Sequence, residues 1–376
     1  MRPGAAGVLS IMPAQPAAAR SHLPLFLALL YGVAIAYASL QPFAHWMAPP
    51  PGTPFFLFGP LPSHWTRFDV VVNVIAYAPF GFFVALTPRR PSTRFVVALV
   101  AGAALSATLE TTQMFLPSRD ASTLDLLANV AGTTLGALLA IAAVRSARAA
   151  GAAAMLRQRW FLPGKVGDLG LALLAIWLAV QVNPGIALFA TTFDPDLQLD
   201  PPAASAPAAP ADDVAAIVVA GATSAFQLLG VGLFLALLLR ERRYIGGAVL
   251  ALVGSALFVK GAAAALLLKP AAWHHWLPPG VSDGVAVGAL LLLGAVGLPR
   301  PVQVALAAIA LLSSVLTPLL TPDVLFAHAP LSGFNWSYGQ LLNFNGLTHA
   351  VLLVWPVAAS AFLFALAGRH GWGEPT

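Results

Sequence analysis

The chain has no cysteine, and it has little charge: only 9% of its 376 residues are Asp, Glu, Lys or Arg. The missing cysteine excludes disulfides, thiolate nucleophiles and cysteine metal sites, and leaves the redox compartment open. No H-E-x-x-H string occurs, so a zinc helix of that kind is excluded as well. What the chain has instead is apolar mass. Hydrophobic residues make up 59% of it, and the mean hydropathy is +0.83. Apolar runs of about twenty residues recur from end to end, each long enough to cross roughly 30 Å of hydrocarbon as a helix. A soluble helix needs one apolar face; these runs are apolar all round. The expected class is therefore an all-α, polytopic integral membrane protein. The isoelectric point near 10.0 points to arginines on membrane-facing loops, with no nucleic-acid partner.

Ten spans are expected, at about 24–43, 70–87, 95–116, 124–144, 168–190, 213–239, 244–268, 281–298, 302–320 and 342–366. The small-residue string Ala36–Ala38 resembles a signal cleavage site, but the apolar run continues past it, so an uncleaved anchor is expected. With the N-terminus inside and strict alternation, fifteen of the nineteen basic residues fall on inner segments. The exceptions are Arg67, Arg119, Lys260 and Lys269. The positive-inside rule then gives an N-in, C-in topology. Four units follow: a cytoplasmic tail at 1–23, a four-helix module at 24–145, a basic cytoplasmic linker at 146–166, and a second module of about six helices at 167–376. The 191–213 loop, rich in Pro, Ala and Asp, reads as flexible and solvated.

Polar residues concentrate at the outer ends of the second, third and fourth spans. Asp69 and Asn73 are four apart, Glu110 and Gln113 three apart, and Asp125 and Asn129 four apart, so each pair shares a helix face. Asp69 and Asp125 also suit helix N-termini, where capping alone explains an acid. Asn73 and Asn129 suit bonds between helices. Gly132 and Gly136 form a G-x-x-x-G packing face. Glu110 is different. It lies near the C-terminal end of its span, where the helix dipole disfavours an acid, so it needs a partner or a function. Arg119, the cation of this segment, is positioned to meet Glu110, Asp125 or an external anion.

These residues carry a resemblance. The stretch "DVVVNVIAYAPFGF" followed by "LETTQMFLPSRDASTLDLLANVAGTTLG" resembles the VanZ-like family. That family has D-x-x-x-N…P-x-G on one helix and E-x-x-Q-x-F-x-x-x-R-x-x-x-x-x-D-x-x-x-N-x-x-G across the next two. Glu110, Gln113, Phe115, Arg119, Asp125, Asn129 and Gly132 fill the second pattern. The similarity covers roughly 24–145. It implies a multi-pass protein of the bacterial inner membrane with a role in the cell envelope, and the family's namesake is associated with glycopeptide resistance.

The expected function is an outer-face site formed by Asp69, Asn73, Glu110, Gln113, Arg119, Asp125 and Asn129. Its expected ligand is an envelope lipid, a lipid-linked precursor or a glycopeptide-type drug. Membrane lipids are thus the expected partners, with no metal and no cofactor. Two alternatives stand beside it. One is an enzyme acting on lipid-linked phosphate: "SRDASTLD" resembles the S-R…D part of a membrane phosphatidate-phosphatase signature but lacks its histidine. No serine in this segment has a histidine near it, and no G-x-S-x-G occurs within it. The other is a transporter built on the second module, where Lys260 and His349 fall inside spans. Lys260 is expected to snorkel toward the outer surface. His274 and His275 point apart within "WHHW", so no metal site is expected there, and the flanking tryptophans suit an interfacial belt.

Overall fold

The computed structural model describes residues 21–60, 65–88, 90–189, 214–273, 275–321, 334–335 and 338–370. Most of the N-terminal tail, all of the 191–213 loop and His274 lie outside the described residues. The described chain is helical and contains no named strand: α1 (Leu23–Leu40), α2 (Arg67–Ala85), α3 (Arg94–Gln113), α4 (Thr123–Arg145), α5 (Ala147–Trp160), α6 (Gly164–Val180), α7 (Val214–Leu238), α8 (Ile245–Leu267), α9 (Val281–Ala295), α10 (Arg300–Leu320) and α11 (Tyr338–His370). Eight of these helices are long and apolar enough to cross a membrane. The shorter α6 and α9, of 17 and 15 residues, stand at the other two expected spans, but α6 ends at Val180 where the expected span ran to 190, because the chain from Gln181 to Phe189 is non-helical. The protein is a multi-pass helical membrane protein.

The one unexpected helix is α5, which occupies most of the basic segment 146–166. Its sequence, ARAAGAAAMLRQRW, is rich in alanine, the best helix former, and Arg157 and Arg159 stand in its last turn, where the dipole favours cations.

Hydrogen bonds sort the helix ends into two faces. At one face, Arg240 donates its backbone N–H to Trp160 and Leu162 donates to Leu238, which joins the ends of α5 and α7. Arg242 reaches Gly297 and Leu298 beyond α9. Asp168 in the first turns of α6 accepts from Arg157, from the Ser21 hydroxyl and from the His22 backbone N–H. The opposite face carries the ends of α1 and α3 and the starts of α2, α4 and α11.

Within the first module α2 and α4 form the most intimate pair. A Cβ on Gly132 would collide with the Val74 carbonyl, one on Gly136 with the Ala78 carbonyl, and one on Gly81 with the Thr133 backbone. The G-x-x-x-G face thus lets two backbones touch, as expected. Helix α1 is shared. It packs on α2 and α3 and equally on α6 and α11 of the second module.

Lys260 corrects an expectation. It does not snorkel: it is 1% exposed, and its ammonium donates to the carbonyls of Asn183 (2.7 Å) and Ile186 (3.1 Å). The chain from Gln181 to Phe189 is non-helical and, apart from Val182, buried. Irregular backbone in an apolar interior leaves carbonyls without partners. Lys260 satisfies two of them, and Ser224 satisfies the Leu188 carbonyl. The Asn183 amide meanwhile bridges to Asn345 and Thr348 on α11.

Candidate functional site

Each of three helices contributes a polar stripe of period about four. On α2 it is Asp69, Asn73 and Tyr77; on α3, Ser106, Glu110 and Gln113; on α4, Asp125, Asn129 and Thr133. Residues at that spacing share one helix face, and tight α2–α4 packing turns the faces inward. Tyr77, Ser106, Glu110, Asn129 and Thr133 are all buried. Tyr77, Ser106 and Thr133 were missed in the sequence, although each continues the spacing of its motif by one turn. A tyrosine, a serine and a threonine are ordinary members of apolar helices, so only the inward-facing partner stripes single them out.

Several motif residues have structural duties. Asp69 and Thr66 form a reciprocal capping box at the start of α2, so the capping reading of Asp69 holds. Asn73 donates to an Asp125 carboxylate oxygen at 2.7 Å and ties α2 to α4. Asn129 donates to the Ser106 hydroxyl and ties α4 to α3. The paradox of Glu110 resolves through its neighbour helix. Its carboxylate accepts the backbone N–H of Ser122, the N-cap of α4, at 2.8 Å. An acid misplaced on its own helix end thus serves the positive end of the next helix.

Arg119 requires a correction. Sequence spacing brings it to Glu110, Asp125 or an anion; in the structure its side chain turns away and meets no acid. It donates to the backbone carbonyls of Ala38 and Gln41 and to the Asn343 side chain on α11 at 2.6 Å. Gln113 donates to the Ser39 carbonyl at 2.9 Å. Together Gln113 and Arg119 satisfy the free carbonyls at the C-terminal end of α1, where a cation also suits the dipole. Burial pushes the Arg119 pKa below its ordinary value, and these acceptors offset the lost hydration of its charge. Arg119→Ala is therefore expected to destabilise the protein by roughly 1–3 kcal/mol, read as thermal unfolding in detergent. Arg119→Lys, able to reach fewer carbonyls, should lose less. If Arg119→Ala unfolds like wild type, the tie between α1 and α11 is not a stabilising one.

With Arg119 withdrawn, the inner cluster is acidic. Among the described residues the ion pairs are Arg157–Asp168 and Arg243–Glu241, so no cation pairs with Glu110 or Asp125. Asp125 lies within electrostatic reach of both Asp69 and Glu110. Two buried groups remain unsatisfied: the Tyr77 hydroxyl and the Asn129 side-chain carbonyl oxygen. Tyr77 stands beside Ser106, near enough to interact with it, and within electrostatic reach of Glu110 and Asp125, but no hydrogen bond of good geometry reaches its hydroxyl.

Residues 15–144 match the VanZ/LLP1 family model. The N-terminal module is VanZ-like. The match ends at the last turn of α4, and it includes every residue of the cluster. No curated protein and no solved structure matches the chain.

Above the VanZ-like cluster, the 46–60 loop exposes Trp46, Met47, Phe55, Leu57 and Phe58. Phe56 turns inward, and its carbonyl accepts from Thr123 beside the Ser122–Glu110 bond. Elsewhere, a G-x-S-x-G string does occur at Gly280–Gly284, outside the polar segment. It opens α9: Gly280 is its left-handed cap, and Gly284 packs on the Gly221 backbone. A turn precedes it where a nucleophile elbow needs a strand, so it is a packing motif.

Proposed function

We propose that the VanZ-like module binds the polar headgroup of an envelope lipid or lipid-linked precursor. The observation that carries this reading is the inward-facing cluster of Glu110, Asp125, Asn129 and Tyr77, which leaves buried polar groups unsatisfied within an apolar bundle. An unmet buried polar group costs about 1–3 kcal/mol, and a ligand that supplies the missing bonds recovers that cost. The exposed aromatic loop beside the cluster favours a ligand that stays in the membrane, since such side chains lie at the headgroup level. In the N-in, C-in topology that the arginine distribution supports, the site opens on the outer face of a bacterial inner membrane. A role in the cell envelope or in antibiotic tolerance belongs to the same reading. Phosphate chemistry finds less support, because the candidate phosphate-binding cation, Arg119, is engaged with carbonyls.

The test is lipid retention. Purified wild-type protein, Glu110→Gln and Tyr77→Phe are compared by native mass spectrometry after extraction from membranes. Both variants should lose a co-purifying lipid roughly tenfold, the equivalent of about 1.4 kcal/mol, while unfolding within a few degrees of wild type. Identical lipid profiles in three stably folded proteins would overturn the reading.

A further inference from the structure

Resting on that reading, we infer that the headgroup bound by the cluster presents a primary ammonium. The withdrawal of Arg119 reverses the sign of the expected ligand. Its guanidinium is engaged by Ala38, Gln41 and Asn343, so no cation is left in the cluster to receive a phosphate or carboxylate. The groups with capacity left are almost all acceptors. Glu110 accepts one bond, from Ser122, at one of its two oxygens. Asp125 accepts one, from Asn73, through Oδ1. Asn129 donates through its amide nitrogen and leaves Oδ1 unmet. The Tyr77 hydroxyl accepts as well as donates, and is also unmet.

A ligand for such a site must bring donors and positive charge. A primary ammonium brings three N–H bonds and one charge on a compact centre. A quaternary ammonium brings the charge without donors, and a hydroxylated headgroup brings donors without the charge. An ion of the calcium or zinc type is less suited, since no group of three or more His, Cys, Asp or Glu among the described residues is placed to hold a metal. The route in is marked by exposure. Asp69, Asn73 and Asp125 are partly exposed, whereas Glu110, Asn129 and Tyr77 are buried. The cluster thus grades from partly exposed residues at the helix ends to buried ones one turn deeper.

The experiment uses the full-length protein in nanodiscs of defined composition. Retention is measured for phosphatidylethanolamine, its N-trimethylated counterpart phosphatidylcholine, and phosphatidylglycerol. Wild type should retain phosphatidylethanolamine at least tenfold over the other two. Glu110→Gln should remove that preference, and Tyr77→Phe should weaken it. Tyr77→Phe removes one oxygen, so it keeps the test valid if Glu110→Gln does not fold. Arg119→Lys should leave the preference unchanged. Equal retention of phosphatidylcholine, or preference for phosphatidylglycerol, would overturn the ammonium inference; the headgroup site itself would stand if retention still fell in Glu110→Gln. Retention indifferent to both Glu110 and Tyr77 would overturn both readings. A further arm adds soluble glycerophosphoethanolamine. Displacement of the lipid only at large excess supports a membrane source, and equal potency would show that a soluble amine suffices and overturn the lipid assignment.

Discussion

Gly136→Ala is expected to lower the stability of the protein by roughly 2–3 kcal/mol, at the upper end for overpacking a close contact. The added methyl would land on the Ala78 carbonyl and crowd the Phe82 backbone nitrogen. Both obstacles are backbone, so no side chain can rotate away, and α2 and α4 must separate. The loss should spread to the site, because Asn73–Asp125 crosses that same helix pair. In a membrane such packing is a main source of helix association. The control is Gly151→Ala on α5, where a new methyl meets nothing within 4 Å. That change should be neutral or stabilising by up to about 1 kcal/mol, the difference in helix propensity. Thermal unfolding in detergent reads both. If Gly136→Ala proves as harmless as Gly151→Ala, the α2–α4 crossing is looser than described.

Asp168→Ala is expected to cost more, about 3–5 kcal/mol, the usual penalty for removing one partner of a buried ion pair. Asp168 is 1% exposed. It accepts from Arg157 at 2.6 and 2.9 Å, from the Ser21 hydroxyl at 3.0 Å and from the His22 backbone N–H at 2.6 Å. Its loss leaves the Arg157 guanidinium without its counter-ion and the entry to α1 without an acceptor. The N-terminus of α1 should then become the first site of proteolytic cleavage. Replacing both charges, as Arg157→Leu with Asp168→Leu, should recover part of the loss, since no unpaired charge remains. The exposed pair Arg243–Glu241 gives the contrast: Glu241→Ala should change stability too little to measure. Equal effects at Asp168 and Glu241 would show that burial is not what gives the first pair its weight.

Both ends of α1 are tied to helices that follow α4. One end is held by Asp168 of α6, and the other by Arg119, itself bonded to Asn343 of α11. Gln41, just past the end of α1, packs so closely on Gly346 that a Cβ there would overlap its amide. Of the motif residues, Arg119 joins the VanZ-like module to a helix beyond it, through Asn343 of α11, while Gln113 ties α3 to α1 within the module.

Helical class, the approximate positions of eight membrane-length helices and the polar segment at Glu110–Asn129 were determined by sequence alone. Apolarity over about twenty residues and a spacing of three or four are local properties, and the membrane allows few other folds for such runs. The G-x-x-x-G face of α4 was legible for the same reason. Only the tertiary structure decided what the polar residues do. Arg119 lies nine positions from Glu110 in sequence, yet bonds Asn343, 224 positions away. Nothing local announces that partner, because a long side chain in a turn goes wherever unsatisfied carbonyls await it. Lys260 obeyed the same rule, turning to a buried break after α6 instead of the surface. The charge of the candidate site, and with it the expected ligand, followed from where one guanidinium was drawn: to the free carbonyls at the end of α1, away from the acids beside it in the sequence.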